Sequence, residues 1–151
     1  MGRIRVMEDL VAHVRSACGD AAAVSLERGQ GPGARLMFLG VEPHRAEAEG
    51  LSIAFGLADE EHTTVVELTV LLDGGGRWEI GVEDRDLAFA RQVVDAVVAG
   101  RVTVQEGKGR SETTLILADG SRTSSSVGSL LPRPGWRART PVRRCAPYRP
   151  V

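Results

Sequence analysis

The groups in this 151-residue chain that could do chemistry are three histidines, two cysteines and a spread of carboxylates. His13, His44 and His62 fall in no HExxH or Cys–His pattern. His44 has Glu42, Glu47 and Glu49 near it, and His62 follows Asp59, Glu60 and Glu61. Such groupings can contribute to a metal site, but they are also ordinary on a solvated surface. No metal or cofactor is expected. Cys18 lies five residues after His13, which on a helix turns the two about 140° apart. They cannot form a thiol–imidazole pair, so Cys18 reads as a small core residue. Cys145 is flanked by Arg143, Arg144 and Arg149, and neighbouring cations lower a thiol's pKa. No base adjoins it in sequence. Glu79 and Glu83 fit one wet face of a strand, with Asp84 and Asp86 beyond. Acid pairs do general acid–base work, but a solvated strand face followed by a helix cap needs the same residues. Gly29, Gly31 and Gly33 lack the rest of a dinucleotide fingerprint, and Gly107-Lys108-Gly109 lacks the hydroxyl residue of a phosphate loop. Both read as turns, and no catalytic residue is assigned.

The stretch richest in recognition chemistry is the C-terminal one. Arg133, Trp136, Arg137, Arg139, Arg143, Arg144 and Tyr148 combine planar cations with aromatics. Arginine attracts phosphate and carboxylate, and aromatics stack on bases or fill a partner's pocket. Three readings stay open: Trp136 and Tyr148 pin the arm onto its own acidic domain, the arm meets another protein, or it meets nucleic acid.

Hydrophobic periodicity predicts the elements that must position these groups. Met7, Leu10, Val11, Val14 and Cys18 give a helical stripe over Met7–Cys18, with Gly19 as its stop. Strands are predicted at Ala21–Leu26, Leu36–Leu39, Leu51–Leu57 and Thr63–Leu72, the last placed centrally because both its faces are apolar. Residues 40–50 are polar and predict a loop or a helical turn. Asp73-Gly-Gly-Gly76 reverses the chain into a strand at Arg77–Glu83. A second helix is predicted over Arg85–Ala99, capped by Asp84 or Asp86. A hairpin follows, Arg101–Glu106 with Glu112–Ala118, then a polar edge strand at Arg122–Val127. Five of the seven prolines lie after Leu130, so regular structure is not expected there. The expected fold is α+β: a mostly antiparallel sheet of five to seven strands with two amphipathic helices. Residues 1–128 form the domain and 129–151 an extended Pro/Arg-rich arm or tail.

Composition bounds the function classes. Hydrophobic residues make up 42% and charged residues 26%, enough for a core and against wholesale disorder. No apolar run approaches the roughly 20 residues of a membrane-spanning helix, and no signal peptide is legible. A cytoplasmic chain with two free thiols is expected. Eighteen of the nineteen basic residues are arginine and asparagine is absent, the bias of a GC-rich bacterial genome. Residues 128–151 hold six arginines and no acid, which leaves the rest of the chain with a balance of −7. An acidic body repels a phosphate backbone, which argues against nucleic acid.

The stretch Gly76-Arg-Trp-Glu-Ile-Gly-Val-Glu-Asp-Arg-Asp-Leu87, the helix to Gly100 and the ending Pro134-Gly-Trp136 with Ala146-Pro-Tyr-Arg149 resemble small uncharacterised α+β proteins of high-GC bacteria. Some of these are similar to immunity proteins, which neutralise a cognate toxin by binding it. The resemblance covers the C-terminal half and implies a non-enzymatic, protein-binding module. Its expected surfaces are the arginine arm and the acidic segment 42–61, including Glu60 and Glu61. The alternatives are a small enzyme with a site assembled from scattered acids, histidines and Cys145, and a nucleic-acid binder acting through the basic arm.

Overall fold

The computed structural model describes residues 5–59, 64–107, 109–128 and 140–150. Helix α1, Val6–Cys18, buries Val6, Met7, Leu10, Val14 and Cys18, one face at helical spacing. Glu8 and Asp9 lie in its first turn, where the helix dipole favours negative charge. It stops at Gly19, whose φ of 53° suits a residue without a side chain and whose N–H donates to the Arg15 carbonyl.

Five strands follow as a continuous antiparallel meander: β1 (Ala22–Arg28), β2 (Leu36–Pro43), β3 (Leu51–Leu57), β4 (Val65–Leu72) and β5 (Arg77–Ile80). One side of this sheet is closed. Leu39, Val41, Ile53, Phe55, Leu68, Val70, Trp78 and Ile80 are buried there and share one core with both helices. Helix α2, Asp84–Val98, buries Leu87, Ala90, Val93, Val94, Ala96 and Val97. It packs on α1, and His13 donates from Nε2 to Asp95 Oδ1 (2.8 Å) across that contact.

Four further strands make a second antiparallel sheet: β6 (Val102–Gly107), β7 (Arg110–Ile116), β8 (Arg122–Gly128) and β9 (Val142–Arg144), in the order β8-β7-β6-β9. Its inner face brings Val102, Val104, Leu115 and Cys145 to the common core, and β7 contacts α2. Trp78 Nε1–H donates to Thr123 Oγ1 (3.0 Å) and the Arg77 amide to Ser125 Oγ (2.9 Å), which joins β5 to β8.

The α+β class and the antiparallel pairing are as predicted, but the strands divide between two sheets instead of one. β4 lies inside its sheet and β8 at an edge, where a serine-rich strand loses little. Three expectations are corrected. β2 continues through the polar stretch to Pro43, because an exposed face tolerates Gly40 and Glu42. The strand from Arg77 ends at Ile80, so Glu83 leaves the predicted wet strand face and opens α2, its amide donating to the Asp86 carboxylate (3.1 Å). Regular structure does occur after Leu130: β9 pairs with β6 through Val142–Gln105, Arg143–Val104 and Arg144–Thr103. No helix among the described residues is long and apolar enough to cross a membrane.

Candidate functional site

Of the arm residues singled out in the sequence, Arg133, Trp136, Arg137 and Arg139 lie outside the described residues, as do Glu60, Glu61 and His62. Arg143, Arg144 and Tyr148 are described. Arg143 and Arg144 are exposed on β9. Tyr148 is a core residue, 2% exposed: of the readings left open for it, the structure has it pinning its segment to the domain and not facing a partner. Its amide donates to the Val98 carbonyl (2.9 Å) and its hydroxyl to the Glu49 carbonyl (2.6 Å). Burial pushes that hydroxyl's pKa up.

Around Tyr148 the C-terminal segment is sewn to the body. The Cys145 amide donates to Val102 and the Ala146 amide to Glu47, and Ala48 and Ala146 form a parallel bridge. Arg45 Nη1 reaches the Pro147 carbonyl (2.9 Å), and Arg149 Nη2 reaches the Cys18 carbonyl (3.3 Å). Two helix-stop glycines admit this crossing. A Cβ on Gly100 would stand 2.4 Å from the Pro147 nitrogen, and one on Gly19 would strike the Arg149 guanidinium.

The segment encloses a carboxylate. Glu49 is 3% exposed, takes the Gly74 amide on Oε1, and has Cys145 Sγ at 3.4 Å and Arg143 Nη2 at 3.8 Å from Oε2. A buried carboxylate is tolerated when hydrogen bonds and a cation face it. Cys145 is itself buried, and burial followed by the Glu49 charge pushes its thiol up to about 11. Sequence proximity to arginines pointed the other way. Arg143 does lower it, but desolvation and the carboxylate outweigh one half-exposed cation. Such a thiol is protonated and shielded at neutral pH, poorly suited to nucleophilic attack.

The other predicted chemical residues do not meet it. Glu79 lies on the five-stranded sheet, Glu83 opens α2, and His44 is exposed just after β2. Cys18 is buried at the end of α1. Among the described residues, no group of three or more His, Cys, Asp or Glu could hold a metal ion.

The outer side of the five-stranded sheet is open. Strand register sets its side chains in rows: Ser25–Gly40–Ser52–Leu71–Arg77, and beside it Glu27–Phe38–Ala54–Thr69–Glu79. Small residues in adjacent strands leave a shallow trough of about 470 Å³, edged by Glu42 and Asp73. A second depression of about 360 Å³ lies between Glu67, Thr69, Arg77 and Glu79. Phe38 stands 37% exposed on this face. Arg77 Nη2 pairs with Glu79 (2.9 Å). Among the described residues, no cation pairs with Glu27, Glu42, Glu67 or Asp73.

Sequence reading reached Glu42 within its acidic segment and Glu79 as a possible acid. It missed Phe38, Glu67 and Asp73 as parts of the same surface. The signal was present as polar positions alternating with core ones, but only the register shows that they share a face. Compared with family models, curated proteins and solved structures, the chain matches none.

Proposed function

We propose that this chain is a non-enzymatic protein-binding module, of the toxin-neutralising type that the sequence resemblance implies, acting by covering a partner's surface. The observation that carries the reading is the outer face of the five-stranded sheet, where an exposed aromatic stands among carboxylates, of which Glu27, Glu42, Glu67 and Asp73 pair with no cation among the described residues. An apolar anchor within a polar surround is the anatomy of a protein interface. Charge of one sign speeds encounter with a partner of the other. Glu49 and Cys145 are buried against each other beneath the C-terminal segment.

The test is affinity purification of the tagged full chain from its native host at moderate salt, followed by reconstitution from purified components. A stoichiometric partner that re-forms the complex is the expected result. Recovery of no such partner counts against the reading.

A further inference from the structure

We infer that the open face of the five-stranded sheet is the docking surface, and that it takes a protein segment presenting arginine or lysine side chains. The inference rests on the protein-binding reading and names the surface and the partner chemistry.

The geometry of the face comes first. Side chains on adjacent strands stand about 4.8 Å apart, so the rows from β1 to β5 span roughly 19 Å. Within them, Ser25, Gly40 and Ser52 are paired neighbours and carry almost no bulk. Gly40 is close-fitted: a Cβ there would stand 3.0 Å from Ser25 Oγ. The floor of the trough is therefore backbone and hydroxyl, wide enough to admit a long side chain lying flat. Phe38, in the next row, offers an aromatic face, which attracts a guanidinium as well as an aliphatic stem.

Charge chooses the occupant. Glu42 and Asp73 edge the trough, while Glu67 and Glu79 edge the second depression. Among the described residues of these two rows, Arg77 is the one cation, and it is already engaged by Glu79. Two of the chain's described arginines near its C-terminus point elsewhere: Arg143 faces Glu49 and Glu106, and Arg149 faces the Cys18 carbonyl. A phosphate backbone would meet like charge across the whole face, whereas a cationic side chain would find a carboxylate at either depression. A hydrophobic partner lacking cations would leave these acids desolvated and unpaired.

The probe is a twelve-residue peptide of alternating arginine and valine, titrated into the isotopically labelled full chain at low and moderate salt. Amide shifts should concentrate at Gly40, Ser52 and Thr69. Affinity should fall at least tenfold in the double variant Glu42→Lys/Glu67→Lys and severalfold in Phe38→Ala. It should hold in Glu112→Lys, on the opposite sheet. Shifts located elsewhere, or unchanged affinity in the double variant, overturn the assignment. So does displacement of the peptide by single-stranded DNA at the same amides, or a free chain that dimerises through this face. The partner recovered from the host separates the two levels. If it binds wild type and Glu42→Lys/Glu67→Lys equally, the protein-binding reading stands and the face is wrong. If wild type recovers none, both fall.

Discussion

Glu42 and Glu49 are seven residues apart in the chain and at opposite extremes of solvation. Glu42 stands exposed at the edge of the open trough, without a cation among the described residues. Glu49 is sealed beneath the C-terminal segment and is met by an amide, a thiol and a guanidinium. The same carboxylate chemistry thus does two jobs. In the buried region, charge is spent on cohesion: removing one member leaves the others desolvated and unsatisfied. On the open sheet, charge is left in water, contributes little to folding, and stays available to something outside the molecule.

The contrast can be broken most forcefully at Tyr148. Tyr148→Ala removes a buried ring together with its hydrogen bond to Glu49, and should cost about 3 kcal/mol or more in denaturant unfolding. A loss well under 1 kcal/mol would mean that the segment is not part of the cooperative core. Next comes Gly100→Ala, which puts a Cβ against the Pro147 backbone at a φ of +75°. It should cost about 2 kcal/mol, checked by thermal melting, with the C-terminal segment becoming more susceptible to protease.

Cys145 sharpens the comparison through pH. Its folded pKa, about 11, lies above the ordinary 9.0, so the native state keeps a proton that the unfolded chain releases. That contribution to stability is full below pH 9 and should decline as pH rises from about 9 toward 11. The buried Cys18 and Tyr148, both raised by desolvation, push in the same direction. Unfolding free energies measured across that range check the sign, and a thiol reagent should modify native Cys145 far more slowly than the unfolded chain. The smallest effect is expected on the open face. Glu42→Lys/Glu67→Lys should leave stability within about 0.5 kcal/mol of wild type while partner binding is lost. A large destabilisation would show that this face also serves the fold.

Much of the scaffold was legible because its elements carry their own periodicity. β3 is found at the predicted residues, Leu51–Leu57, where Leu51, Ile53 and Phe55 alternate with small residues. The stripe of α1 and the hairpin turn at Asp73 are equally local signals. The binding face was only partly legible. Glu67 and Glu79 each read as a polar strand position and Glu42 as part of a loop, and nothing local says that Gly40, Ser52 and Phe38 stand between them. The C-terminal segment misled for a related reason. Proline and arginine are the composition of an exposed arm, and three residues of strand carry no periodicity of their own. Arg143 next to Cys145 suggested a lowered thiol pKa, whereas Glu49, 96 residues earlier, helps to set the outcome.

The sequence by itself determined the α+β class, the placement of both helices, most strand positions and the separation of an acidic body from an arginine-rich end. Each follows from residue spacing or from counting charge, which need no knowledge of distant neighbours. Only the tertiary structure decided that the strands split into two sheets, that Tyr148 enters the core, that Glu49 is buried while Glu42 is not, and that Phe38 and Glu42 share the outer face of one sheet. Those outcomes depend on register and on contacts between residues a hundred positions apart, where burial is a property of the partner found in space.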